Sequence, residues 1–256
     1  MASPNLNPPP GARVNTNHPL SRGLVGCWLM NEGGGGVLQN IAGPQTSNLT
    51  HTSNPKAGGG PYGAGMVFDG SGQKFSTSIV PAAVYPLTMC ILARSSVWNN
   101  GVLFSIMNTT PWNGFYLEYT GGQFTAVAVQ SASFNKAVGS TSAEVWHHVV
   151  GVYASSADRS LYIDGVLAGT NTTACTPAAT PNEIAIGSYV AHWTGSASGA
   201  RLYNRALSAH EARQLAAQPF AGVVPFRRSG RNSIAAAATV FRRTMMARTG
   251  SRGVII

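Results

Sequence analysis

Two adjacent histidines and an Asp-Gly lie within "WHHVVGVYASSADRSLYIDGVLAGT", residues 146–170. Imidazole and carboxylate are the groups most often used for metal binding and general acid–base work. In a strand, however, His147 and His148 point to opposite faces, so they cannot chelate one metal together. The eight acids are Glu32, Asp69, Glu118, Glu144, Asp158, Asp164, Glu183 and Glu211, and no two are two positions apart. Glycoside hydrolysis normally needs two carboxyl groups facing each other across a cleft. Asp164 is committed to a turn, Glu211 to a helix cap, and Glu118 alone falls mid-strand; a catalytic pair would have to converge from separate strands. Calcium sites usually gather several carboxylates, and none are clustered here. Cys27, Cys90 and Cys175 are far apart and have no metal-ligand spacing. The expectation is no catalytic residue, no metal and no cofactor.

Binding chemistry is better represented. Trp98 in "VWNNG", Trp112 in "PWNGFY" and Trp193 in "AHWTG" each sit among glycines and small polar residues. An exposed indole with polar neighbours is a plate for a sugar ring, so these three are the candidate glycan contacts. The competing role for each is to cap a core, the commoner fate of a large aromatic. A second chemistry is ionic. The net charge is +9, yet seven arginines fall in residues 221–256 (Arg227, Arg228, Arg231, Arg242, Arg243, Arg248 and Arg252), with no acid among them. Residues 1–220 hold ten basic residues against eight acids, so the body carries about +2. The arginine pairs suit docking to carboxylates and, less favourably, to phosphates, because base-reading or interleaved aromatic residues are missing. With Phe241 they are the candidate anchoring residues. Ile234, Ala237, Ala238, Phe241 and Met245 make a stripe that fits either a short amphipathic helix or an extended arm.

The elements that must position these groups are mostly strands. Thirty glycines, fifteen prolines and only 10% charged residues favour many turns over long surface helices. "GLVGCWLM", "AGMVFDG", "LTMCILAR", "GVLFSIM", "EIAIGSYV" and "GARLYNRAL" read as strands. In "GFYLEYTGGQFTAVAVQ", Phe115, Leu117 and Tyr119 alternate with Tyr116 and Glu118. Past the Gly-Gly turn, Phe124, Ala126 and Ala128 share one face and Thr125, Val127 and Val129 the other. Both faces are largely apolar, which fits a strand covered on both sides. Asp164–Gly165 is a two-residue hairpin turn, since both central positions require positive φ. Ser208 with Glu211 three residues later forms a capping box, opening a helix to about Ala217. Many short strands joined by turns specify an all-β antiparallel sandwich. Residues 1–22, with "NPPPG", read as an extended arm without a signal peptide, residues 23–220 as the sandwich, and residues 221–256 as a basic arm. No run of apolar residues is long enough to span a membrane.

"GLVGCWLMNEGGGG", "MVFDGSGQKF", "WHHVVGVYASSADRSLYIDGVLAG", "IAIGS" and "RLYNRALSAHEARQL" occur in the order found in laminin-G-like domains of the concanavalin A-like lectin/glucanase superfamily. The resemblance covers roughly residues 23–218. It implies a two-sheet jelly roll of twelve or more strands, with Trp146 and His148 as packing and backbone-anchoring residues. Many relatives carry an acidic pair where this chain has Ser198 and Gly199. The family includes sugar-binding and adhesion modules, glycosidases and pieces of viral structural proteins. The leading expectation is a non-enzymatic structural or decoration protein of a phage or virus capsid. It would reside in the virion, form a homo-oligomer and be anchored to a major shell protein by its arms. The alternative is a lectin-like module binding surface glycans; a glycoside hydrolase is the remote one.

Overall fold

Alternating apolar and polar residues, interrupted by glycine and Asp-Gly turns, divide the chain into short strands. The computed structural model describes residues 7–34, 36–43, 45–96, 101–109, 112–177, 180–187 and 191–225. In chain order the strands are β1 (Arg13–Val14), β2 (Leu24–Trp28), β3 (Val37–Leu38), β4 (Leu49–Thr52), β5 (Lys56–Gly58), β6 (Gly65–Asp69) and β7 (Lys74–Thr77). Longer ones follow: β8 (Leu87–Ser95), β9 (Gly101–Thr109), β10 (Trp112–Thr120), β11 (Gln123–Gln130), β12 (Ser133–Ser140) and β13 (His147–Ser155). Then come β14 (Asp158–Ile163), β15 (Val166–Asn171), β16 (Glu183–Ile186), β17 (Thr194–Tyr203), helix α1 (Ala209–Ala217) and β18 (Val223–Val224).

Sheet one has the order β12-β11-β10-β9-β16-β7-β4-β3, and sheet two the order β15-β14-β13-β8-β17-β6-β5, with β2 also pairing β17. Neighbouring strands are antiparallel, for example Phe115 opposite Ala128 and Leu117 opposite Ala126. This is the all-β jelly-roll sandwich that the strand pattern specifies. Phe115, Leu117, Tyr119, Phe124, Ala126 and Ala128 enter the core between the sheets. Tyr116, Val127 and Val129 form a separate buried cluster with Val102 and Met107 on the opposite face of sheet one. Both faces of the β10–β11 hairpin are therefore buried, as its sequence requires.

Sheet two is likewise apolar on both faces. Cys90, Leu92, Val150, Val152 and Tyr203 turn away from the main core and meet Leu20, Leu207, Ala212, Leu215 and Phe220. Helix α1 supplies part of this cover. Ser208 caps it by accepting from the Glu211 amide, and the Glu211 carboxylate accepts from the Ser208 amide in return. Residues 7–22 supply another part, which corrects the expectation of an extended arm over 1–22. Leu20 is buried, β1 pairs with β18, and the Asn7 side chain donates to the Leu29 carbonyl at 3.0 Å. The arm packs because its few apolar residues, Ala12 and Leu20, are needed to seal the outer face of sheet two. The compact unit likewise runs past residue 220, to Val224. The stripe over 234–245 lies outside the described residues.

The departure from the acidic pair at 198–199 has a local cause. The β17 register shifts between Ser198 and Arg201. Gly199 has φ +56, and a Cβ there would lie 3.1 Å from the Phe220 ring. Ser198 is buried, its hydroxyl donating to the Ala64 carbonyl at 2.7 Å. An acid at either position would lose charge hydration or force a strained backbone. Gly199→Asp should lower the unfolding free energy by roughly 1–3 kcal/mol in urea titrations; unchanged stability would show that the bulge tolerates a side chain.

Candidate ligand-binding surface

Strand β12 is the edge of sheet one, so its outward residues are not covered by a neighbouring strand. Phe134, Lys136 and Val138 share that outward face, opposite Val129, Val127 and Thr125 of β11. Phe134 is 42% exposed. Across the sheet end Trp112 opens β10 and is 36% exposed. The two rings meet edge to face, centroids 6.0 Å apart at 87°. Their partner is the two-residue turn Ser131–Ala132, which closes the β11–β12 hairpin with φ of 45° and 66°. Neither residue is glycine or asparagine, so the turn holds backbone strain of about 1–2 kcal/mol per residue. Trp112, Ser131, Ala132 and Phe134 line an open groove of about 470 Å³. The small turn residues leave the aromatic faces accessible, and none of the four is charged. The surface suits a flat, uncharged ligand that stacks on aromatic rings.

The other sequence-derived candidates are placed differently. Trp193 is 1% exposed in the main core, 6.5 Å from Tyr119 in an edge-to-face contact, so it is not a glycan plate. Its backbone amide donates to the Gly187 carbonyl at the entry to β17, which turns the indole inward. Trp98, Arg227, Arg228, Arg231, Arg242, Arg243, Arg248 and Phe241 lie outside the described residues. Phe134 was not among the sequence candidates. Its signal was alternation with Lys136 and Val138, but only an edge position makes that alternation an exposed face.

The paired histidines do separate, as strand geometry requires. The Nδ1 of His147 lies 2.7 Å from Asp164 Oδ2, and its Nε2 faces the Thr141 hydroxyl at 2.5 Å. Asp164 Oδ1 accepts from the His148 amide at 2.8 Å. Hydroxyl, imidazole and carboxylate thus stand in the order of a proton relay, a link that the sequence does not reveal because Thr141 comes from the β12–β13 connection. Its evident work is mechanical: one carboxylate holds the Asp164–Gly165 turn against the start of β13. Burial acts to raise the Asp164 pKa, but the hydrogen bonds from His147 and the His148 amide outweigh it, and the carboxyl titrates below its usual range. His148 points into the second core. Burial, reinforced by the Arg201 charge and only partly opposed by Asp164, pushes its pKa down to about 4.

Of the remaining acids, all but Asp158, which opens β14, accept from nearby donors. Glu118 takes hydrogen bonds from Thr125 at 3.0 Å and Lys136 at 2.6 Å. Glu183 pairs with Lys74, Glu144 with Arg94, and Glu211 with Arg205. Asp69 accepts from Ser71 and Gln73, and Glu32 from the Gln39 amide. Among the described residues, no group of three His, Cys, Asp or Glu is arranged to hold a metal ion. No helix among them is long and apolar enough to cross a membrane.

Two antiparallel sheets, an inner core and a helix laid on the outer face of one sheet define a concanavalin A-like domain. The family model described as Laminin_G_3, Concanavalin A-like lectin/glucanases superfamily, matches residues 69–213, and the chain belongs to that family. No curated protein matches the sequence. Solved structures with the same fold include the binding domain of Paraclostridial Mosquitocidal Protein 1, 13% identical with a TM-score of 0.64, covering 78% of this chain and 53% of that one. The receptor-binding domain of a botulinum neurotoxin C/D mosaic serotype is 11% identical with a TM-score of 0.63, covering 76% and 51%. The receptor-binding domain of botulinum neurotoxin type G is 12% identical with a TM-score of 0.60, covering 78% and 53%. This chain therefore spans about half the length of each, and at these identities the likeness is one of fold.

The depressed His148 pKa fixes the sign of a pH effect. The unfolded chain binds a proton near the ordinary imidazole value of 6.5, whereas the folded chain does so only near 4. Stability contributed by the neutral, buried ring is complete above pH 6.5 and falls progressively toward pH 4, by roughly 3 kcal/mol in total. The Asp164 contribution is lost at still lower pH, as the carboxylate protonates. Urea denaturation from pH 7 to 4 should show this slope in the wild type and a flatter one in His148→Leu; identical slopes would place the titrating group elsewhere.

Proposed function

We propose that this chain is a non-catalytic carbohydrate-recognition module whose contact surface is the Trp112–Phe134 shelf. The exposed, mutually braced aromatic pair carries the reading. A pyranose presents a face of C–H groups that packs on an aromatic ring, and its hydroxyls find partners in the surrounding polar groups and water. Ser131 supplies such a hydroxyl at the groove. The strained turn beside the rings supports the same reading, since strain of this kind persists mainly where function requires the shape. Seven of the eight acids accept from nearby donors and no two of them hydrogen-bond to the same one, which speaks for recognition without bond cleavage. The fold is also one on which toxin receptor-binding domains are built.

A second reading is favoured by a separate observation, the concentration of charge in residues 221–256. In it the module is displayed as a homo-oligomer on a larger assembly, such as a phage or virus capsid, and the arginines and Phe241 engage an acidic shell protein. The two readings are compatible: one concerns what the domain holds, the other what holds the domain.

On a glycan array, Trp112→Ala and Phe134→Ala should each reduce binding about ten-fold or more while leaving stability within roughly 0.5 kcal/mol. Trp193→Ala should instead destabilise the fold by about 3–5 kcal/mol. Wild-type binding that survives loss of both shelf rings would move the site elsewhere. Deleting residues 226–256, beyond the compact unit that ends at Val224, should abolish co-sedimentation with the native assembly without affecting glycan binding; full incorporation of the truncated chain would end the anchoring reading.

A further inference from the structure

The shelf has a neighbour on the same end of the sandwich. Phe115, three residues beyond Trp112 on β10, faces inward and forms the back of a cavity of about 240 Å³. Ala83, Val84 and Tyr85, from the β7–β8 connection, form one wall, and Pro177 and Pro181, from the β15–β16 connection, form another. The polar lining residues are Thr176 and Thr180, both exposed at the rim, and Tyr85. The Tyr85 hydroxyl is already used, donating to the Cys175 carbonyl at 2.7 Å. Among the described residues, no charged side chain contributes to the lining.

The cavity is firmly built. Tyr85 stands edge to face on Phe115 at 4.9 Å, and Phe115 on Tyr153 at 5.1 Å. At its mouth Val84 is 65% exposed, and Ile79 of the same connection is 47% exposed. Apolar surface left open beside a formed cavity is characteristic of a binding site. The rim it shares with the shelf is defined by one hydrogen bond. The Thr176 amide donates to the Gln130 side chain at 3.2 Å, and Gln130 immediately precedes the Ser131–Ala132 turn under the Trp112 and Phe134 rings. Phe115 faces the inner side of sheet one and the Trp112–Phe134 pair its outer side, so a ligand that spans the two passes round the end of the β11–β12 hairpin at Gln130.

We infer that the cavity receives an aliphatic substituent of the saccharide that stacks on Trp112 and Phe134, so that the ligand class is a glycan carrying an acyl or alkyl chain. This rests on the reading of the shelf as a saccharide site and adds what that reading leaves open. A bare sugar brings hydroxyl groups that the apolar walls cannot satisfy, and burying them unpaired is costly. A methylene chain loses nothing there and gains the walls. The absence of lining charge selects against a charged appendage on the same ground.

The test compares methyl and n-octyl β-glycosides of glucose, galactose and N-acetylglucosamine. Both are titrated into the full chain below the micelle concentration and followed by calorimetry and saturation-transfer NMR. Two substitutions on the exposed rim address the cavity: Thr176→Glu places a charge at the mouth, and Thr180→Trp occupies it. Circular dichroism confirms that both variants fold. At least one octyl glycoside should bind roughly ten-fold tighter than its methyl partner, the gain from burying about two methylenes. Both rim variants should erase that gain and leave methyl glycoside binding alone, while Trp112→Ala weakens both ligands. No octyl advantage in the wild type, or an advantage that persists in both rim variants, overturns the inference. An octyl advantage lost in the rim variants but indifferent to Trp112→Ala sustains the cavity and overturns the shelf.

Discussion

A sheet that is apolar on both faces must be covered on both, and sheet two sets this requirement for the whole molecule. Its inner face is met by sheet one. Its outer face, with Cys90, Leu92, Val150 and Val152, has no second sheet to meet. Leu215 and Ala212 from α1, Leu20 from the N-terminal segment, and Leu207 and Phe220 from the connections around α1 close it instead. Fully burying a large aliphatic or aromatic side chain is worth roughly 1.5–3 kcal/mol, so several such residues repay the ordering of otherwise irregular chain. The consequence is spatial. With that face occupied, open aromatic and apolar surface is left at the margin of sheet one and the end of the sandwich, where Trp112, Phe134 and the Phe115 cavity lie.

The cover is held by polar ties as well as by packing. Arg201 sits in the β17 ladder between Cys27 on β2 and Cys90 on β8. It is 2% exposed and has no carboxylate partner; Nη1 donates to the Ala221 carbonyl at 3.0 Å and lies 3.4 Å from the Tyr203 hydroxyl. A buried cation is expensive, and its use here is to fasten residues 218–224 across sheet two. Its neighbours titrate mainly as burial dictates, with the guanidinium acting second. Burial pushes the Cys90 thiol up to about 12 even against the pull of Arg201, and the charge helps to keep His148 neutral. The three cysteines are buried, free and serve as small apolar residues.

What was legible in the sequence is what short-range geometry decides. Asp164–Gly165 takes positive φ at both positions, 51° and 80°, because the two-residue hairpin leaves no other choice. Ser208 and Glu211 cap α1 because they are one helical turn apart. The two apolar faces of β10 and β11 follow from alternation alone. What was not legible depends on the order of strands in space. Trp112 and Trp193 have nearly interchangeable surroundings in sequence, each next to glycine and small polar residues. One opens a strand beside the free edge of sheet one, and the other precedes a central strand of sheet two, so only one reaches solvent. The N-terminal segment was unreadable for a related reason, since Ala12, Val14 and Leu20 in a proline-containing stretch have no sustained periodicity and their packing depends on a sheet formed later in the chain.

The same distinction explains why the open aromatic pair lies where it does, with Phe134 on edge strand β12 and Trp112 at the first residue of β10 beside the β11–β12 turn. Interior strands of sheet one are hydrogen-bonded on both sides, and their side chains are packed too closely to re-aim. The β11–β12 hairpin is constrained by β10 on one side only. There the chain takes a turn through Ser131 and Ala132 that glycine or asparagine would make with less strain. A side chain larger than these would crowd the groove, while glycine would enlarge the unfolded ensemble and loosen the turn. Serine and alanine leave the rings open yet hold the hairpin that carries Phe134. The strained turn, the braced rings and the free edge therefore act together: the turn closes the hairpin, the hairpin places Phe134, and Phe134 braces Trp112.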